Sequence, residues 1–336
     1  MTTAPDEARD ETTLRATVPP AREWARTFLV GLFMGTADGV PGVSGGTIAL
    51  IAGIYERLVA AITAVTPGRF VAGVRALTPL DGGVSLDRAA AVLDEVDGWF
   101  LIALLAGIAS AVVVVTRAVD YLNEAAPVVL FGFFFGLIGA SAAVLLREIS
   151  VTRLDSGAAA VAGFVVAFAV SGASASLGGG GLVVVFVAGA VAVSAMILPG
   201  VSGSLLLVIL SQYTRMTEAL SGFLDGLAAL ATGGSPENLA GNGAEVVAFV
   251  LGGLVGLFTI ARLIRRALAA NREATFAFLV ALVVGALRAP IVTLNTEHGV
   301  VWTTDTLAPF GVAALAGAVV VLVLDWYAVD IDLDGV

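Results

Sequence analysis

Six stretches of the chain stay apolar over a length that crosses a bilayer: residues 99–119, 126–146, 157–174, 246–264, 275–291 and 309–326. A helix needs about 20 such residues to span the hydrocarbon layer. The stretches are rich in Val, Ala, Leu and Gly and lack the short alternating pattern of barrel strands, so they predict transmembrane α-helices. Two longer apolar stretches, 24–65 and 182–223, are each interrupted near the middle by a Pro and two Gly. There one helix ends and a second starts, at Thr47 or at Ser204. Such a segment is a re-entrant hairpin, a pair of crossings or one broken helix; only the first two return the chain to the side it came from.

The two interruptions are the same pentapeptide. Pro41-Gly42-Val43-Ser44-Gly45 recurs 158 residues later as Pro199-Gly200-Val201-Ser202-Gly203, and the same offset pairs Tyr55 with Tyr213 and Arg57 with Arg215. At an offset of 146, Leu104-Leu105-Ala106-Gly107 aligns with Val250-Leu251-Gly252-Gly253 and Ile138-Gly139-Ala140 with Val284-Gly285-Ala286, while Gly163 matches Gly317 loosely. The chain therefore divides into a polar tail (1–23), a first repeat (24–176), a second repeat (177–329) and an acidic tail (330–336). Each repeat holds one interrupted segment followed by three spanning helices. The first 23 residues lack the apolar core of a signal peptide and read as a disordered cytoplasmic tail.

Charge then orients the helices. All 17 basic residues are Arg, against 27 acidic ones, a balance that predicts a halophilic archaeal source; GC-rich codon usage, the plainer alternative, explains the Arg but the acidic excess less well. With a cytoplasmic N-terminus and interrupted segments that return to their starting side, Arg9, Arg15, Arg22, Arg26, Arg57, Arg69, Arg75, Arg88, Arg147, Arg153, Arg262, Arg265, Arg266 and Arg272 all fall at cytoplasmic ends. Only Arg117, Arg215 and Arg288 fall elsewhere. Three crossings per repeat then place the second copy upside down relative to the first, with both termini cytoplasmic. The expected fold is an all-α membrane protein with inverted-topology repeats, each a PGVSG broken or re-entrant segment plus three transmembrane helices.

A helix break at membrane depth bares backbone groups that lipid cannot satisfy, so it needs protein, a polar cavity or a ligand against it. Gly42, Gly45, Gly46, Gly200 and Gly203 permit close approach to the backbone, and Ser44, Thr47, Ser202 and Ser204 add hydroxyls. N–H groups at a helix start, with the positive end of its dipole, make an anion site. Arg57 and Arg215, about three turns further on, supply attraction. Arg288, before Pro290, either contacts the anion or snorkels to the interface. The plainer reading is a tight packing point between helices; duplication with equally spaced Tyr and Arg weighs against it. Asp38 and Glu56 have no acidic counterpart in the second copy, which makes them candidates for proton coupling; a helix cap and an Arg partner are the alternatives. Cysteine is absent and the one histidine, His298, lies in a polar loop, so disulfides and thiolate metal sites are excluded. No Gly-rich run precedes a Lys, which excludes a nucleotide P-loop. No cofactor, metal or nucleic-acid partner is expected, and the number of copies in an assembly is left open.

The segment 35–47, continued by Gly53-Ile-Tyr-Glu-Arg57, resembles the signature of the membrane family known as domain of unknown function 368, the polyprenyl-phosphate transporters. Residues 199–204, Gln212-Tyr213 and Gly285-Ala-Leu-Arg288 fit it as well, with Ser204 where the first copy has Gly46. The resemblance covers nearly the whole chain. It implies translocation of undecaprenyl or dolichyl phosphate across the cytoplasmic membrane by alternating access, with the glycines, hydroxyls and arginines named above around the head group. Two alternatives remain: a transporter of a small soluble anion, and a membrane lipid phosphatase, which the lack of Cys and of clustered metal-ligating carboxylates disfavours.

Overall fold

The computed structural model describes residues 19–77, 86–147, 153–172, 180–196, 202–235 and 237–334, and every regular element among them is helical. The first part holds α1 (Ala21–Gly39), α2 (Gly45–Ile51), α3 (Tyr55–Ala64), α4 (Pro67–Leu77), α5 (Leu86–Glu95), α6 (Gly98–Ala125), α7 (Pro127–Arg147) and α8 (Leu154–Gly172). The second holds α9 (Leu182–Ala195), α10 (Gly203–Ile209), α11 (Tyr213–Ala231), α12 (Leu239–Phe258), α13 (Ile260–Ala270), α14 (Arg272–Ala286), α15 (Arg288–Thr296) and α16 (Thr304–Asp334). Six helical runs among the described residues are long and apolar enough to cross a membrane: α6, α7, α8, Leu239–Ala270, Arg272–Thr296 and Thr304–Tyr327. They correspond to the six stretches read from the sequence, and four of them are longer at both ends because helical hydrogen bonding continues past the apolar core into polar residues. The molecule is an all-α, multi-pass membrane protein.

Around each pentapeptide the chain makes the same corner. The short helices α2 and α10 have 7 residues each. Both are preceded by a serine in extended conformation, Ser44 (ψ 129°) and Ser202 (ψ 129°). The axis turns by 116° between α2 and α3, with Gly53 at φ 67° in the corner. At the matching place in the second copy Ser211 holds φ 53°, a left-handed conformation uncommon for a residue with a side chain. Ile54 and Gln212 then share φ near −110° and ψ −1° before α3 and α11 begin.

Helices pack pairwise through glycine, where backbones touch. A Cβ on Gly31 would strike the Leu104 carbonyl, one on Gly35 would meet Ile108 and one on Gly39 would meet Val115, so α1 and α6 run parallel. The second copy repeats the contact: Gly31 on Leu104 and Gly107 on Phe28 become Gly189 on Phe249 and Gly252 on Phe186. These matches keep the 158 offset on α9 but place the α12 equivalence at 145, one residue from the 146 read in the sequence. A one-residue slip rotates a helix by about 100°, so the packed face decides the register. Between the two parts the contacts are reciprocal, with Gly163 of α8 on Phe278 of α14 and Gly317 of α16 on Phe133 of α7.

The 28-residue α6 measures the bundle, at 1.5 Å per residue about 40 Å. At its start Asp97 pairs with Arg57, which also reaches Glu23 of α1, and Trp24 packs on Trp99 with centroids 6.1 Å apart. Thus α1 starts and α3 begins at this, the Arg57 end. The last turns of α6 meet α11, where Arg117 pairs with Asp225 and Asn123 donates to Glu218. At this Glu218 end Arg215 binds Glu245 of α12 and the Gly180 carbonyl just before α9. Helix α7 turns back from the end of α6 and finishes at Arg147, which faces Asp325 of α16 at 3.9 Å. The core lies between the breaks, where Phe134 meets Tyr213 edge-on at 5.2 Å among Leu137, Ile138, Leu205 and Leu294.

Candidate functional site

The first break is built by three elements. Gly42 takes φ 93°, which turns its carbonyl toward α7, where the Ser141 hydroxyl donates to it at 2.6 Å. The Asp38 carboxylate, at the end of α1, reaches back to accept from the Gly45 N–H at 2.7 Å. It caps α2, a task that the preceding Ser44 leaves open. Met196 occupies the matching place in the second copy, against Gly203 as Asp38 is against Gly45. There the Ser202 and Ser204 hydroxyls bond each other at 2.8 Å instead.

The end of α1, just before the first break, meets the second break in one cavity. A space of about 370 Å³ is lined by Asp38 and Gly39 of α1, Thr116 of α6, Gly203 and Ser204 of α10, and Tyr213 and Thr217 of α11, with apolar walls from Val112, Val115, Met196, Leu207 and Phe249. The Tyr213 hydroxyl donates to the Gly39 carbonyl at 2.6 Å and so pins α11 to the end of α1. This Tyr213 cavity extends toward Thr217 and Leu220, beside Glu218. A smaller space of about 120 Å³ lies on the other side of the first break, lined by Gly42, Ser44, Thr47, Ser141 and Asp325. This Ser141 cavity extends toward Leu145 and Leu324, beside Arg147. The Asp38–Ser44 segment stands between them, Asp38 and Gly39 on one side and Gly42 to Ser44 on the other.

The structure therefore gathers Asp38, Gly203 and Ser204 at one cavity and Gly42, Ser44 and Thr47 at another. Ser202 is 2% exposed and lines neither. Gly45 is buried under Asp38, Gly46 is exposed on α2, and Gly200 lies outside the described residues. The three arginines named as sources of attraction line neither of these two cavities: Arg57 is held by Asp97 and Glu23 over the Phe100 ring. Arg215 is held by Glu245 and Gln212. Arg288 donates to the Phe168 carbonyl at 2.7 Å and lies over that ring. Glu56 is exposed next to Arg57. Sequence reasoning missed Tyr213 and Ser141 as site residues. Tyr213 had a signal, its recurrence with Tyr55, but the pair diverges in the fold: Tyr55 is 42% exposed and Tyr213 5%.

No solved structure matches the chain at a significant level. The polyprenyl-phosphate transporter of Vibrio cholerae serotype O1 is 31% identical over 262 residues, which cover 78% of this chain and 75% of that one. The sequence profile of the VCA0040-like, undecaprenyl phosphate translocase-like family matches residues 34–307, from the end of α1 to the start of α16. Both descriptions are of transport rather than catalysis. With both breaks and all the spanning helices up to α15 inside the matched region, the chain belongs to the undecaprenyl phosphate translocase-like family.

Proposed function

We propose that the protein carries a polyprenyl phosphate, undecaprenyl or dolichyl, across the cytoplasmic membrane by alternating access, with the head group passing between the two breaks. The observation that carries this reading is the Tyr213 cavity, where residues of both repeats meet at the middle of the bundle. Its walls are mostly apolar, which favours a lipid over a small soluble anion. Two cavities that reach toward opposite ends, with only the Asp38–Ser44 segment between them, fit a gate whose two sides open in turn. Inverted repeats are supported by the entry of the first interrupted segment from the Arg57 end and of the second from the Glu218 end, and by the reciprocal contacts of α7, α8, α14 and α16. Positive charge then assigns the Arg57 end, with both termini, to the cytoplasm.

Within the cavity Ser204 and the backbone around Gly203 face the phosphate, and Ser44, Thr47 and Gly42 receive it on the other side of the gate. No cation stands among the described residues of the Tyr213 cavity, and a phosphate beside the Asp38 carboxylate is repelled. A protonated Asp38 is instead a hydrogen-bond donor to it, so head-group entry and proton uptake are coupled at this residue. The test is translocation of a fluorescent polyprenyl phosphate in reconstituted vesicles. Ser204→Leu fills the cavity and abolishes transport while the protein stays folded; transport at the wild-type rate would remove the site.

A further inference from the structure

A third cavity lies at the Arg57 end, about 510 Å³ in volume, between the start of α1, the corner at Gly53 and the first turn of α6. This size is within the range of small-molecule pockets, about 300–1,000 Å³. Its lining mixes Arg22, Arg26 and Arg57 with Val30, Ile54 and Phe100, the Arg57 guanidinium lying over the Phe100 ring, and the one carboxylate among the described lining residues, Glu23, is paired with Arg57. Arg57 is fixed by two carboxylates, at 2.6 Å from Asp97 and 3.3 Å from Glu23. Arg22 and Arg26 are different. They stand one turn apart on α1, both exposed, and neither makes an ion pair among the described residues. In a chain with a net charge of −10, two guanidiniums with no ion pair among the described residues, beside apolar side chains, are not explained by surface balance. Nor does the repeat require them, because Gly180 and Val184 stand at the matching places in the second copy.

We propose that this cavity is a second head-group site, where the phosphate monoester of a prenyl lipid docks at the Arg57 end before or after its passage between the breaks. The inference rests on the transport reading above and adds a place where the lipid is held. Guanidinium forks match phosphate oxygens in pairs, and two of them fit a monoester, with three terminal oxygens and nearly two charges. The phosphodiester of a membrane phospholipid offers two free oxygens and one charge. Arg57, held from behind by Asp97 and resting on Phe100, closes the back of the site, and the first isoprene units lie along Val30 and Ile54.

The full-length protein in an uncharged detergent is titrated with farnesyl phosphate by calorimetry, in a Ser204→Leu background that blocks the Tyr213 cavity. Binding that weakens with salt is expected, and Arg22→Gln with Arg26→Gln lowers affinity at least tenfold, while Arg22→Lys with Arg26→Lys recovers part of it. Phosphatidylglycerol and inorganic phosphate, added before the titration, each displace farnesyl phosphate with an affinity at least tenfold below its own. An unchanged isotherm in the double Gln variant overturns the site. Equal competition by phosphatidylglycerol makes it a general contact for anionic lipid, and equal competition by inorganic phosphate removes the lipid from the assignment; either result rejects the proposal. Failure of the transport reading is separate: it appears as normal translocation by Ser204→Leu, whatever the isotherm shows.

Discussion

At the scale of single residues, Gly42 and Gly46 are four positions apart and physically opposite. Gly42 holds φ 93°, with the Ser141 hydroxyl 2.9 Å from where a Cβ would stand. Gly42→Ala therefore forces an L-residue into the left-handed region and is expected to cost about 1–2 kcal/mol, read as a lower melting temperature in detergent. Gly46 lies inside α2, and the nearest atom to a Cβ there is the Ser44 hydroxyl at 3.5 Å. Gly46→Ala is expected to be neutral or to stabilise by up to about 1 kcal/mol. The sequence could not separate these glycines, because both sit in one small-residue run and only the backbone angle tells them apart. Glu218 is a second case. Partial burial, then the carboxylates of Asp120, Glu297, Glu124 and Glu245, push its carboxyl above the usual range; Arg215, His298 and the amide of Asn123 also face this end. The folded protein thus takes up this proton at higher pH than the unfolded chain. Stability rises as pH falls through the raised titration toward the ordinary carboxylate value and levels off below it. Glu218→Gln is expected to raise the melting temperature at neutral pH, with the gain shrinking on acidification; a gain that is constant with pH would contradict this.

At the scale of elements, the six spanning helices were legible because an apolar run of bilayer length admits little else. The interrupted segments were legible as breaks, but the course of the chain beyond each break was not. Their direction is set by partners far away in sequence: Arg57 by Asp97, Arg215 by Glu245, Tyr213 by Gly39. Identical pentapeptides also acquire different surroundings, so that Ser44 faces a cavity and Ser202 bonds Ser204. Helices of two turns such as α2 and α10 do not hold together alone. Asp38 matters here, since its carboxylate accepts from the first N–H of α2, and it is the one charge among the described residues lining the Tyr213 cavity. Asp38→Ala is expected to cost about 1–3 kcal/mol, the loss of a charge-assisted bond. Asp38→Asn retains an acceptor and most of the stability, yet leaves nothing to titrate. Transport by the Asn variant should become insensitive to a pH gradient while its melting temperature stays close to the wild type. Gradient-dependent transport by that variant would assign the coupling elsewhere.

At the scale of the molecule, the charges of the two ends differ in kind. Arg117 of α6 and Arg262 of α13 are equivalent by the packing register of 145, yet the turns after them diverge: Asp120 and Glu124 follow the first, Arg265 and Arg266 the second. Equivalent segments of a repeat carry opposite charge when they emerge on opposite faces of a membrane, because one face selects for cations. A cysteine-free chain lets this be tested cleanly, since each introduced thiol is the only one present. Tyr121, at the Glu218 end, is 70% exposed and Leu154, at the Arg57 end, is 92% exposed; as cysteines they should react with an impermeant maleimide from opposite sides of sealed vesicles. Tyr55 on the first interrupted segment and Leu230 on the second are 42% and 52% exposed. Tyr55→Cys should then label with Leu154→Cys, and Leu230→Cys with Tyr121→Cys. Labelling of both segments from one side would mean that the two breaks enter the bilayer in parallel, and no head group could pass from one to the other by the exchange of two inverted halves.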